Sequence, residues 1–160
     1  MINITIICVG KLKEPYFQAG VAEYIKRIGK YAKLDVVELP DEKTPALESE
    51  SNVLKTLDLE GEAILAKLPK DGFVVTLEIE GELMSSEALA SFIDKTTQFQ
   101  SNRIVFIIGG SLGLSDKVKK RADFALSFSK MTFPHQLMRL MLVEQLYRSL
   151  SILNHSSYHK

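Results

Sequence analysis

The chain contains a single cysteine, Cys8, which excludes an internal disulfide. Cys8 sits inside an apolar run, where a free thiol acts as a small core residue rather than a nucleophile, and so few thiols fit a reducing cytosol. No apolar run approaches the roughly 20 residues needed to cross a bilayer. The opening Met1-Ile2-Asn3-Ile4-Thr5-Ile6-Ile7 lacks a basic flank and a small-residue cleavage site, so it reads as a strand and not as a signal peptide. Metal ligands are missing too. His135, His155 and His159 lack H-E-x-x-H spacing, and one cysteine cannot complete a thiolate site. No Ser-His-Asp pattern stands out, which leaves only a triad assembled in space. There is no internal repeat, low-complexity tract or linker, so residues 1–160 read as one domain.

Net charge is also absent: 20 basic residues balance 20 acidic ones, an apparent argument against a nucleic-acid partner. The distribution is uneven. Residues 1–102 hold 11 Lys and Arg against 17 Asp and Glu, whereas residues 103–160 hold 9 against 3. A basic C-terminal third can meet phosphates while the acidic remainder keeps the protein in solution. With 46% hydrophobic and 25% charged residues, the composition is that of an ordinary globular protein with a sizeable core.

Apolar runs without alternation, at residues 4–9 and 104–108, mark strands covered on both faces. Further strands are expected at 34–39, 73–79 and 124–127. Between them lie helical patterns. One starts at Pro15 and carries Phe17, Val21, Tyr24, Ile25 and Ile28 to a stop near Gly29. A second, over 50–67, presents Val53, Leu54, Leu57, Ile64 and Leu68 as its core stripe despite Gly61. A third is capped by Ser85 or Ser86 and turns Leu89, Phe92 and Ile93 inward, and Ser115 caps a short basic helix over 116–121. Residues 40–45 read as a polar loop and the most mobile segment, and Glu80-Gly81-Glu82 as a turn. Strands alternating with helices imply an α/β layered fold with a largely parallel sheet.

The segment around which this frame is organised follows the last strand. Phe128, Ser129, Lys130, Met131, Thr132 and Phe133 put two rings, a thioether, two hydroxyls and an amine into one loop before Pro134 opens a helix. Such large apolar groups lose by facing water, so the loop either covers a ligand or plugs the core. Gly109-Gly110-Ser111-Leu112-Gly113-Leu114 is neither a G-x-G-x-x-G pattern nor a P-loop, yet it follows a strand, where α/β folds place ligands. Leu77, Gly109 and residues 128–133 would then meet at one sheet edge as a pocket for a flat, mostly apolar ligand. The helix over 134–153 is apolar almost all round, apart from Glu144 and Arg148, and a terminal helix of that kind calls for a second subunit. Its tail, Asn154-His155-Ser156-Ser157-Tyr158-His159-Lys160, can lie across that subunit's pocket, with Tyr and His stacking on an unpaired base and Lys meeting a phosphate. Arg139 would face the same region or lie as a rim arginine along the interface.

Five stretches carry a resemblance: Val9-Gly10-Lys11-Leu12-Lys13, Thr76-Leu77-Glu78-Ile79, Phe106-Ile107-Ile108-Gly109-Gly110, Ser127 through His135, and Tyr158-His159-Lys160. Together they resemble the small SPOUT-type methyltransferases that modify N3 of a pseudouridine in 23S ribosomal RNA, over essentially the whole chain. The resemblance implies an α/β fold with a C-terminal trefoil knot, a topology that connection rules alone would have discarded. It implies S-adenosylmethionine held by Leu77, Gly109, Phe128, Ser129, Lys130, Met131, Thr132 and Phe133. It implies a cytoplasmic homodimer acting on the assembled ribosome, with a composite site in which one subunit lends its tail. His159 is then the first candidate base, Arg139 an electrostatic clamp and Tyr158 a stacking or orienting group. Other rRNA or tRNA bases, or a non-catalytic dimeric RNA-binding role, are the competing readings. The final helix predicts sedimentation as a dimer at micromolar concentration; a monomer there would remove the second subunit.

Overall fold

The computed structural model describes residues 1–42 and 49–160, so residues 43–45 of the expected polar loop lie outside the described residues. Ten elements alternate along the chain. They are β1 (Ile2–Val9), α1 (Pro15–Ile28), β2 (Ala32–Leu39), α2 (Glu50–Ala66), β3 (Phe73–Leu83), α3 (Ser86–Phe99), β4 (Arg103–Ile108), α4 (Asp116–Arg121), β5 (Phe124–Ser127) and α5 (His135–Leu153). The strands form one five-stranded sheet in the order β2-β1-β4-β3-β5, and every pairing is parallel.

Successive strand residues face opposite sides of the sheet, and both sides here are covered by helices. Ile4, Ile6 and Cys8 of β1, with Ile104, Phe106 and Ile108 of β4, join Val21, Ile93, Leu142 and Leu146 on the face carrying α1, α3 and α5. Ile7, Val9, Val105 and Ile107 join Ile64 and Val118 on the face carrying α2 and α4. This explains the unbroken apolar runs. Each fully buried side chain of this size contributes about 1.5–3 kcal/mol. Cys8 belongs to that core: burial above all pushes its thiol up to about 11, so it is inert at neutral pH.

Serine caps start three of the helices. Ser49, Ser85 and Ser115 accept from the backbone N–H groups of Asn52, Ala88 and Val118 at 3.2, 3.0 and 3.4 Å. Two expectations need correction. Leu54 does not belong to the α2 core stripe; it is exposed, and Thr56, Glu60, Gly61 and Ile64 form the buried stripe. The reason is Gly61, whose bare backbone lets α2 approach the Ser115 cap of α4 and so sets which face turns inward. Nor is Glu80-Gly81-Glu82 a turn that ends a strand. Leu126 of β5 pairs with both Leu77 and Glu82, so β3 bulges out between them and then resumes. Ser127 Oγ donates to the Ile79 carbonyl at 2.9 Å and holds the bulge.

Helix α5 lies on the sheet with α1 and α3 on its flanks. Leu142, Val143, Leu146 and Leu150 are buried, Leu140 meets Gly20 of α1, and Ser86 of α3 donates to Gln145 at 2.8 Å. Much of the all-round apolar surface is therefore covered within one protomer. A groove of about 540 Å³ remains between the three helices, lined by Gly20, Tyr24, Met84, Leu89, Leu140 and Met141 among others.

Replacing Gly61 by alanine should improve helix propensity by about 1 kcal/mol. Its new Cβ would stand 2.3 Å from Ser115 Oγ, however. Displacing that cap costs about 1 kcal/mol or more. The expected result for Gly61→Ala is a lower Tm in thermal denaturation; a Tm above that of the parent would mean α4 yields without loss.

Candidate functional site

The parallel register brings the C-terminal ends of β3, β4 and β5 to one edge of the sheet, where a cleft of about 960 Å³ opens. Its first wall is the β3 bulge, with Leu77, Glu78, Ile79 and Glu80. The second is the glycine loop after β4. A Cβ on Gly109 would lie 2.4 Å from the Gly113 carbonyl oxygen, and Gly113 has φ of +87°, so this hairpin closes only with glycine at both places. The third wall is the loop after β5. There Ser129 Oγ accepts from the Met131 N–H at 3.0 Å, and the Ser127 hydroxyl lies 3.0 Å from the Ser129 carbonyl.

The two readings of the loop over 128–133 are divided between its residues. Phe128 packs against the core, whereas Met131 is 71% exposed and Thr132 is open to solvent. Of the residues expected to hold a cofactor, Leu77, Gly109, Phe128, Ser129, Met131, Thr132 and Phe133 line this one cleft. Lys130 does not; it is exposed on the outer side of the loop. The lysine on the cleft is Lys119 of α4, 4.0 Å from Glu78. Glu78, Glu80, Lys119 and His135 were not among the expected site residues, although Glu78 and His135 stand in the resembling stretches. Glu80 was hidden because a bulge in a parallel strand reads locally as a turn, and Glu78 because it reads as an ordinary strand position.

The residues expected to do chemistry lie elsewhere in the protomer. Arg139 is 2% exposed, and its guanidinium donates to Glu38 Oε2 at 2.5 Å and to the Gly10 carbonyl at 2.9 Å. It does not reach the tail or line the cleft, which corrects its expected position; a buried guanidinium must be paired, and Glu38 and Gly10 pair it inside the chain. The tail is ordered. His155, at φ 56°, reverses the chain after α5, and Ser156 N–H donates to the Ser151 carbonyl at 2.9 Å. The Tyr158 hydroxyl lies 3.2 Å from that of Tyr24 and 3.4 Å from Glu144, its ring edge-on to Tyr147 with Arg148 above it. Burial first, then the Tyr24 hydrogen bond, pushes the Tyr158 phenol up to about 12, so it stays neutral.

His159 Nδ1 lies 3.0 Å from Arg148 and Nε2 lies 2.7 Å from Glu87 Oε1. Arginine only donates and carboxylate only accepts, so Nδ1 accepts and Nε2 carries the proton. The bond from His159 holds the exposed Glu87 carboxyl below its ordinary range. Neither Tyr158 nor His159 lines the cleft of its own chain.

Charge is also arranged otherwise than the sequence balance suggested. In the basic C-terminal third, Lys117, Lys119, Arg121, Arg139 and Arg148 each face a carboxylate, on Glu62, Glu78, Asp123, Glu38 and Glu144 respectively. Among the described residues there is no group of His, Cys, Asp and Glu able to hold a metal ion, and no helix long and apolar enough to cross a membrane.

Behind the glycine loop stands a second acidic feature. Glu60 of α2 is buried; its Oε2 accepts from the Glu42 N–H at 3.1 Å, and among the described residues its Oε1 has no partner. A Cβ on Gly110 would lie 3.4 Å from Asp41 Oδ1 and 3.6 Å from that Oε1. Burial, opposed by the Glu42 N–H and reinforced by Asp41, raises the Glu60 carboxyl from 4.5 to about 7.

Two comparisons bear on this architecture. The family described as "Predicted SPOUT methyltransferase" matches residues 2–159. Over 158 residues, covering 99% of each chain, the sequence is 54% identical to "Ribosomal RNA large subunit methyltransferase H" of Bacillus pumilus. Proteins of the same name from Listeria monocytogenes serotype 4a and Listeria welshimeri are 50% and 51% identical, again over 158 residues and 99% of each chain.

The raised Glu60 carboxyl has a consequence for stability. Between about pH 4.5 and 7 the folded chain keeps a proton that the unfolded chain releases. Its contribution is complete below that window and falls away as pH rises through it. Glu60→Gln should flatten this slope, so that parent and variant differ in Tm far more at pH 8 than at pH 4. Parallel Tm curves would exclude Glu60 as the group responsible.

Proposed function

Since the chain belongs to the SPOUT methyltransferase family, we propose that it transfers a methyl group from S-adenosylmethionine to N3 of a pseudouridine in 23S ribosomal RNA. The shared name of the relatives supports the RNA substrate. The cleft supports the donor, and it is the observation that carries the reading. Apolar side chains of Leu77, Leu126, Phe128 and Phe133 suit a flat adenine, and loop backbone outside the sheet ladder can read its edge. Glu78 and Glu80 favour a ligand bearing positive charge, as a sulfonium does. Leu77, Gly109, Phe128, Ser129, Met131, Thr132 and Phe133 are the proposed donor-binding residues, with Lys130 on the outside of the same loop. The strand order, with β5 beside β3 and α5 packed between α1 and α3, is compatible with the family's C-terminal trefoil knot.

The donor supplies a methyl group already activated on sulfur, which leaves alignment and proton removal to the chain. N3 of a pseudouridine must lose its proton as it is methylated, and a base within hydrogen-bond reach serves that need. His159 is the proposed base. Its acceptor nitrogen, now engaged by Arg148, becomes available when the tail leaves that contact. Tyr158, held neutral, serves to stack on or orient the base and not to take the proton. Because both lie away from their own cleft, the reading includes a homodimer in which each tail completes the partner protomer's cleft. The groove between α1, α3 and α5 supplies apolar surface for that association. Arg139 contributes by position, tying the loop after β1 to the start of α5. The assembled ribosome in the cytoplasm is the proposed setting, where neighbouring RNA adds recognition that a chain of zero net charge lacks.

Whole ribosomes should accept methyl groups in preference to isolated subunits or tRNA, with the modified nucleotide mapped to a pseudouridine. For His159→Ala, kcat should fall on the order of 100-fold or more, while calorimetry finds donor affinity unchanged. Near-normal turnover would remove His159 as the base and leave positioning alone to account for the rate.

A further inference from the structure

The loop between β1 and α1 is tied to the mouth of the cleft. The Gly10 carbonyl accepts from Arg139, the Lys13 N–H donates to Gln136 Oε1 at 2.8 Å, and Gln18 Nε2 donates to the Leu12 carbonyl at 2.8 Å. A Cβ on Gly10 would lie 3.3 Å from the His135 ring, and His135 and Pro134 line the cleft. Lys11 and Lys13 are thereby held at the rim, both exposed. Lys130, also exposed, belongs to the loop whose Ser129 and Met131 line the cleft.

These cations differ from Lys117, Lys119, Arg121, Arg139 and Arg148, which face carboxylates. Among the described residues none of the three ammonium groups has a carboxylate partner, although Glu14 is in the same loop and Asp41 lies beside Gly10. A cation already neutralised by a carboxylate gains little from a phosphate; an unpaired one gains its full counterion release. Beside the lysines, in the first turn of α1, Tyr16 is 67% exposed, with its ring 4.6 Å from that of Phe17. A large ring braced on one side and open on the other offers a platform for a base at low entropic cost. On the other side of the mouth stand Glu78 and Glu80, which repel a polyanion.

We propose that Lys11, Lys13 and Tyr16, joined by Lys130, form the lip on which the RNA strand next to the target base docks. The lysines meet its phosphates and Tyr16 stacks one of its bases. The acidic β3 wall makes the entry one-sided, so the strand approaches over the lysines and only the target base enters the cleft. This rests on the proposed RNA substrate and adds where that RNA is gripped.

The test uses the full-length protein with a fluorescently labelled 23S rRNA fragment and with whole ribosomes, over a series of KCl concentrations. For the double variant Lys11→Gln, Lys13→Gln, the slope of log K against log salt should become less negative by about 1–2. KM for ribosomes should rise about tenfold or more with kcat nearly unchanged, and Tm and calorimetric donor affinity should stay at parent values. Tyr16→Ala should raise KM several-fold with the salt slope unchanged, because stacking releases no counterions. A double variant with the parent slope and KM overturns the lip while leaving the methyl-transfer reading intact. A parent protein that binds RNA with the lysine-dependent slope yet methylates no RNA supports the lip and sinks the substrate assignment. A parent protein that binds neither RNA overturns both.

Discussion

The parallel register of β3 between β4 and β5 is the constraint on which the site depends. Parallel strands joined by helical crossovers end at the same sheet edge, so the bulge after Leu77, the turn at Gly109 and the loop after Ser127 open side by side. Slippage by one residue would send Val75, Phe106 and Leu126 to the opposite face, where their partners are wrong. Helices on both faces therefore lock the register, and the register fixes the cleft. The core and the site are consequences of one arrangement.

The second organising feature is α5. Its inner side completes the core and its first turn closes the mouth of the cleft, through Pro134, His135 and Met138. Its second half anchors the tail, which folds back along it. There Arg148 binds Glu144 through two nitrogens, lies over the Tyr158 ring and meets His159. One helix thus holds cleft residues at its start and the proposed catalytic tail along its second half. The tail, bound there to Glu144, Arg148 and Tyr24, does not line its own cleft, and this is the reason to propose the completing residues on a neighbouring protomer.

Electrostatics repeat the lesson that placement outweighs count. The excess of cations after residue 102 is real, yet folding spends several of them on ion pairs with carboxylates from the acidic part of the chain. Exposed pairs of this kind add little stability, but they leave few free cations on α4. The unpaired lysines of the mouth come chiefly from residues 11 and 13, in the portion that sequence balance had labelled acidic. Arg139 follows the same logic. Its position on an apolar helix suggested an interface or a substrate, and only the return of Gly10 and Glu38 to the same spot gives it a partner.

Residue order by itself determined the alternation of elements, the doubly covered strands at β1 and β4, the Ser115 cap with its short helix, and the loop over 128–133 as one wall of a pocket at the sheet edge. Each is written in local spacing or in a single residue's backbone chemistry, within reach of a few positions. Strand order, the bulge that carries Glu78 and Glu80 into the cleft, the inward face of α2, the burial of Arg139 and the anchorage of His159 were decided only by the tertiary structure. Those depend on which distant segments approach one another, and a glycine such as Gly61 reveals its purpose only when the Ser115 hydroxyl stands where its side chain would have been.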